Sequence, residues 1–322
     1  MWLEIPRKRE NIGPFRTNRT PHAMMNILTR AACAAALITA ASLFSAETRE
    51  EALATLVAAE RAFAQVSLDS GYKAAFLGVL AADSTLFQPG PVNGREVVSA
   101  SEDPPFILNW YPATADIAAS GDLGFTTGPY TVKPKDPAET RRGSGHYTSV
   151  WRRLPTGVWE LLVDLGTRHP AASAPPAGWE PPAGATPLAA TLSDAERAKF
   201  RDALLARDAS LGKPRDGEPF IAALSGFAEP GTWIYRPGFE PFAGLAAAAA
   251  EPRVASDVIR SEPTSAEMST AGDWGYTLGS MTITSGDTST DAHYLRLWRR
   301  ASGGGEWMLF LDTHAPMPAA GG

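Results

Sequence analysis

Hydrophobic positions recur at helical spacing early in the chain, then alternate as in strands, and the same order appears a second time. Leu53, Leu56, Val57 and Phe63 share one face of a first helix. Tyr72, Ala75, Phe76, Val79 and Leu80 follow an i, i+3, i+4, i+7, i+8 spacing and predict a second amphipathic helix. Much later, Ser193 and Glu196 form a capping-box signature, and Phe200, Ala203 and Leu204 continue the apolar face of the helix they open. After the first helical pair come short β-type runs broken by Gly and Pro, at 85–88, 124–132, 145–153 and 158–165. Helices followed by a run of strands predict an α+β fold with an antiparallel sheet.

The repetition is explicit in the residues. Ala119-Ser120-Gly121-Asp122-Leu123-Gly124-Phe125-Thr126-Thr127-Gly128 recurs as Thr270-Ala271-Gly272-Asp273-Trp274-Gly275-Tyr276-Thr277-Leu278-Gly279. His146-Tyr147 with Trp151-Arg152-Arg153 recurs as His293-Tyr294 with Trp298-Arg299-Arg300, and the segment from Trp159 to Asp164 as that from Trp307 to Asp312. Phe87-Gln88-Pro89-Gly90 recurs as Tyr235-Arg236-Pro237-Gly238. Four blocks in one order, offset by 147 to 151 residues, make a duplication of whole domains. Between the copies, six prolines in the 18 residues 170–187 predict an extended linker. At ~3.1 Å per residue it reaches ~50 Å, enough for the copies to dock side by side.

The chain of 322 residues divides accordingly. Residues 1–23 read as an over-extended start and 24–46 as a signal peptide, with Arg30 ahead of the 14-residue apolar run 31–44 and cleavage expected near Ala46. That run is shorter than the ~20 residues a spanning helix needs. The first domain is assigned to 47–169, the linker to 170–191 and the second domain to 192–318. Removing the six basic and two acidic residues of 1–46 leaves 23 basic and 33 acidic residues, a net charge of −10. The expected product is therefore an acidic periplasmic or secreted protein, with no membrane attachment after cleavage and no basic footprint for nucleic acid. The single Cys33 lies in the removed segment, which excludes disulfide scaffolds and Cys-based zinc sites. The arginine pairs Arg141-Arg142, Arg152-Arg153 and Arg299-Arg300 read as solvated hairpin ends. Gly303-Gly304-Gly305 reads as a turn, and no phosphate-binding loop is present.

The last two strands of each copy carry the candidate chemistry. If Trp151 pairs with Trp159 across the turn, five-residue steps bring His146 opposite Asp164. The same steps from Trp298 and Trp307 bring His293 opposite Asp312, each pair within ~4.5–5.5 Å at Cβ. A carboxylate that orients an imidazole makes it a general base; the bland alternative is a cross-strand hydrogen bond between half-buried groups. His169 and His314 follow, but their unequal spacing from the Asp residues argues against a metal site, and no metal or cofactor is expected. Both faces of the terminal ribbon are apolar, so each needs a cover. Helices supply one; the other copy's sheet supplies the second, giving an intramolecular pseudo-dimer, monomeric as a chain, expected to meet through the Trp faces.

These blocks resemble the SnoaL-like branch of the nuclear-transport-factor-2-like superfamily. The motifs are Gly121 through Gly128, then Gly145-His146-Tyr147 to Arg153, then Gly157-Val158-Trp159 to Gly166, with Gly272 through Gly279 and His293 through Asp312 in the second copy. The resemblance covers about 50–169 and 193–316. It implies two tandem α+β cones, helices packed in the concave face of a curved antiparallel sheet, with a pocket at the open end and pairing through the sheet's outer face. Isomerases of this kind place a carboxylate base just before a Pro on the first strand; the matching positions are Gln88 and Arg236, neither a base near neutral pH. Their oxyanion-donating Tyr is matched by Phe63 and Phe200, which have no hydroxyl. Asp83 opens the first strand and is read as a solvent-exposed turn or cap residue.

The function expected is binding of a small apolar ligand, or an accessory role. Pocket residues would be His146, Asp164, Gln88, Trp110 and Tyr130 in the first copy, with His293, Asp312, Arg236 and Tyr276 in the second. The alternatives are a lyase or isomerase using the His–Asp base on a small organic substrate, and a purely structural domain pair. Trp110 and Tyr130 also read as plain core aromatics.

Overall fold

A computed structural model of the chain describes residues 46–170, 180–300 and 305–318. The expected start and signal segments, the middle of the linker and most of the Gly303-Gly304-Gly305 turn lie outside these residues.

The first unit opens with α1 (Arg49–Ser70) and α2 (Tyr72–Val79), then β1 (Leu80–Phe87), β2 (Pro91–Asn93) and α3 (Gly94–Ala100). It closes with β3 (Phe106–Trp110), β4 (Thr114–Ile117), β5 (Leu123–Pro134), β6 (Gly143–Arg153) and β7 (Trp159–Arg168). The second unit holds α4 (Asp194–Leu211), α5 (Phe220–Ala223), β8 (Ala228–Ile234), β9 (Phe242–Ala243), α6 (Leu245–Ala249) and α7 (Pro252–Ala255). Its sheet is completed by β10 (Val258–Met268), β11 (Trp274–Ser285), β12 (Thr288–Arg299) and β13 (Met308–Pro316). Both long helices begin with reciprocal capping boxes, Thr48 with Glu51 and Ser193 with Glu196, which satisfy two otherwise orphaned N–H groups each.

The two sheets share one topology. The first runs β2-β1-β7-β6-β5-β3, with β4 also on β5; the second runs β10-β11-β12-β13-β8-β9. Pairing is antiparallel except where β1 meets β7 and β8 meets β13. Within the first unit Leu53, Leu56 and Phe63 of α1 and Phe76 of α2 pack on Trp110, Tyr147, Trp151 and Leu161. The second unit packs Leu204, Leu211 and Phe220 against Tyr294, Trp298, Trp307 and Leu309. Each unit is thus helices against one face of its own sheet, the α+β cone.

A third core joins the units. Leu123, Phe125, Val150, Leu162, Val163 and Leu165 are buried with Tyr235, Trp274, Tyr276, Leu295, Leu297, Phe310 and Leu311. The sheets meet through the faces opposite the helices, so the expected docking through the Trp faces is corrected: Trp151, Trp159, Trp298 and Trp307 lie inside their own cones. Both ribbon faces are apolar, so the side chains alone did not distinguish them. The repeated Gly-Asp turns lock this face reciprocally. Gly121 and Gly272 stand at φ +71° and +70°, a conformation that suits Gly, and aim the following Asp across the interface. Ala119 N–H donates to Asp273 at 2.9 Å, and Thr270 N–H donates to Asp122 at 2.9 Å, the self-complementary pattern of a twofold contact.

The arginine pairs are engaged rather than solvated, Arg141-Arg142 excepted. Arg152 grips Asp83, which lies in β1 rather than in a turn, and Arg153 grips Glu47. Arg299 pairs with Glu229, and Arg300 lies over the Phe200 ring.

Candidate functional site

The terminal hairpins do not pair as the Trp-to-Trp register requires. Trp151 faces Leu161 and Arg153 faces Trp159, and a bulge leaves Leu162 as an extra residue before Val150 meets Val163. The second hairpin has its bulge at Phe310, between the pairs Trp298–Leu309 and Leu297–Leu311. A bulge adds one residue to one strand and thereby turns everything beyond it to the other face. His146 therefore faces Thr167, and His293 faces Ala315. The His146–Asp164 and His293–Asp312 dyads do not form. The imidazoles lie on the interface side, and the carboxylates point into the cones.

His146 stacks on His169, Nδ1 to Nε2 at 2.7 Å, with the edge of Tyr235 of the second unit beside it. Burial, and secondarily His169, lowers its pKa to about 4, which leaves it neutral near pH 7. His293 sits beside Gly90 of the first unit. Gln88 is exposed at the end of β1, and Tyr276 belongs to the core between the sheets. Trp110, Tyr130 and Asp164 alone among the expected residues come together, around one cavity of the first cone.

That cavity holds about 110 Å³ and is lined by Phe63, Phe76, Leu108, Trp110, Tyr130, Tyr147, Ser149, Asp164 and Gly166. Gly166 is exposed and Tyr130 half-buried, which places the rim there. Polar groups from Ser149, Asp164, Tyr147 and Tyr130 stand in the otherwise apolar wall. Ser149 donates to Asp164 Oδ1 at 2.7 Å, and burial raises the Asp164 pKa to about 6. Tyr147 is 5% exposed, and its hydroxyl has no hydrogen-bond partner. The nearby Thr126 hydroxyl is committed to Glu60 on α1. Glu60 also accepts from the indoles of Trp110 and Trp151. Burial, opposed by these three donors, brings its pKa to about 7.

The second cone fills the same place with its own side chains. Arg296 stands opposite Asp312 where Ser149 stands opposite Asp164. Its Nε donates to Asp312 at 2.7 Å, its Nη1 to Asp208, and its Cζ lies 4.1 Å over the Tyr294 ring. Arg236, 4% exposed, reaches Asp312 at 2.7 Å from the other side, so it is a core ion-pair partner rather than a ligand contact. Burial pushes the Asp312 carboxyl up, but Arg236 and Arg296 hold it below the usual range. His314 takes the place of Gly166 opposite the ring of Tyr294, and burial next to Arg236 lowers its pKa to about 3.

Tyr147, Ser149 and Glu60 escaped the sequence reading. A Cβ at Gly124 would touch Leu56, and one at Gly275 would touch Leu204; Glu60 and Asp208 each lie one turn further along their helices. By the same alignment the counterpart of Phe63 is Leu211, not Phe200. The signal was in the repeat: at two places lining the first cavity the copies disagree, Ser149 with Arg296 and Gly166 with His314.

Among the described residues no group of three or more His, Cys, Asp or Glu is placed to hold a metal, and no helix is long and apolar enough to cross a membrane. No protein-family model matches the sequence, and no curated protein sequence matches it. Solved structures each match a little over a third of this chain. A cystatin-like-fold protein of unknown function from Nostoc punctiforme shares 21% identity over 37% of this chain and 93% of its own, with a TM-score of 0.29. An NTF-2-like protein of unknown function from Shewanella oneidensis shares 10% over 35% and 96%, with a TM-score of 0.29. A ketosteroid isomerase-like protein from Erwinia carotovora atroseptica shares 14% over 36% and 95%, with a TM-score of 0.28. By the architecture of its own two sheets, the chain is a tandem pair of α+β cones.

Proposed function

We propose that the first cone is a small-molecule binding site and that the second is its built-in partner, holding the sheet face a separate subunit would otherwise cover. The observation that carries this is the buried, unpartnered Tyr147 hydroxyl beside Asp164 in an apolar cavity, set against a second cone whose equivalent space Arg296 occupies. A native interior rarely leaves a buried hydroxyl unsatisfied, and a bound ligand supplies the missing partner. The cavity is smaller than the ~300–1,000 Å³ of pockets for drug-sized ligands, so the ligand is small. Arg30 and the apolar run 31–44 support export, which makes the ligand one met outside the cytoplasm.

A second reading, an isomerase or lyase, rests on Asp164. A carboxyl whose pKa lies near 6 takes and returns protons near neutrality, and it replaces the His–Asp base that the fold does not assemble. Native mass spectrometry of the exported protein tests the first reading: one small ligand per chain, and an N-terminus near Ala46, are expected. Two ligands per chain would contradict the closed second cone. Loss of turnover with retained binding in Asp164→Asn would favour the second reading.

A further inference from the structure

The second cone shows what its sister is shaped to receive. Arg296 places a planar cation between Asp208 on the first helix of its unit and Asp312 on the last strand, over the face of Tyr294, and it is 0% exposed. The corresponding groups of the first cone are Glu60, Asp164 and Tyr147. Ser149 is too short to reach between them, and neither carboxyl has an ion-pair partner among the described residues. The Asp164 carboxyl, the unpartnered Tyr147 hydroxyl and the rings of Phe63, Phe76 and Trp110 line the space, while Glu60 lies behind that wall, held by Trp110, Thr126 and Trp151.

We propose, building on the cavity as a binding site, that its ligand is a small organic cation of the guanidinium or amidinium class, seated as Arg296 seats its own guanidinium. Such a group donates to the open Asp164 oxygen and to the Tyr147 oxygen together, in the fork geometry that suits a carboxylate. The aromatic walls attract it through their ring faces while excluding water. A neutral ligand of equal size leaves Asp164 without a counter-charge in a poorly solvated site. The two cones then share one recognition device, filled intramolecularly in one and from solution in the other.

The test is titration of the protein with methylguanidinium, its neutral isostere methylurea, and cyclohexanone as an apolar neutral probe. The Trp110 indole N–H resonance, which reports on the Glu60 contact, is the readout. Methylguanidinium should bind at least tenfold more tightly than methylurea. Asp164→Asn should abolish that preference, and Ser149→Arg should abolish binding by filling the space from within. Equal binding of methylguanidinium and methylurea, or a preference that survives Asp164→Asn, overturns the inference. If cyclohexanone alone binds, the cation inference fails and the cavity reading stands; if no probe binds, both fail. Should Ser149→Arg not fold, the Asp164→Asn comparison decides.

Discussion

Arg296 and Asp312 face each other across the β12–β13 ladder with a 2.7 Å hydrogen bond, and Ser149 and Asp164 hold the same two places in the first unit at the same 2.7 Å. Arg296 in place of Ser149, with His314 in place of Gly166 beside it, separates the closed cone from the open one. The closed cone commits four charged groups to its core, and the open one leaves a carboxyl facing a cavity.

Truncating Arg296 strips the counter-charge from the buried Asp208 and leaves Asp312 to Arg236 alone. Arg296→Ala should cost about 3–5 kcal/mol, because an uncompensated charge stays in the core. Ser149→Ala should cost about 1 kcal/mol or less, the net worth of an ordinary hydrogen bond. Urea unfolding of the two variants measures both, and a loss below 1 kcal/mol for Arg296→Ala would show the network to be incidental.

Asp164 should weaken the fold in order to serve the site. Its native pKa of about 6 lies above its ordinary 3.8, so between those values the native state holds a proton that the unfolded chain has released. Its contribution is therefore fully present below pH 4 and declines as pH rises through 6. Asp164→Asn removes the cost of burying the charge. It should be about 1–3 kcal/mol more stable than the parent at pH 7.5, and the gap should close as pH falls toward 4. A gap that widens on acidification would reverse the sign and refute the assignment.

His314 acts in the opposite sense. Its native pKa of about 3, lowered by burial and by Arg236, lies below the ordinary 6.5. The unfolded chain takes up the proton first, so stability is lost as pH falls from 6.5 toward 3, by at most about 1.4 kcal/mol per pH unit. The neutral His314→Asn should show a flatter acid limb in stability measured at pH 7, 5 and 4. Parallel limbs for variant and parent would exclude His314 as the titrating group.

Cleavage within the linker should not separate the units. The shared core holds Phe125, Trp274, Phe310 and both pairs of leucines on β7 and β12, and the Asp122 and Asp273 turns clasp it from each side. A protease site introduced at 171–179 and cut to completion should leave both fragments eluting together on size exclusion. Two folded fragments that elute apart would show that the buried face does not hold them.

Much of this was legible in the chain because it is local. Helical spacing marked α1 and α2, Ser193 and Glu196 marked the start of α4, and the Gly-Asp motif marked a turn whose φ near +70° suits Gly. The duplication, and with it two cones, follows from four blocks repeated at one offset. These signals depend on neighbours a few residues apart, and such interactions are written in order along the sequence.

Register and facing were settled only by tertiary packing. Leu162 and Phe310 look like ordinary strand residues, yet each is the extra residue of a bulge that carries Asp164 and Asp312 into the cones and leaves His146 and His293 at the interface. Trp151 and Val150 are both apolar, and no local property tells which meets helices and which meets the other sheet. Read along the chain alone, the long helices, the main strands of the first copy and the doubling were legible; the short helices and the edge strands were not. The tertiary structure decided which polar groups share a cavity, because a one-residue slip costs little locally but moves every later side chain to the opposite face.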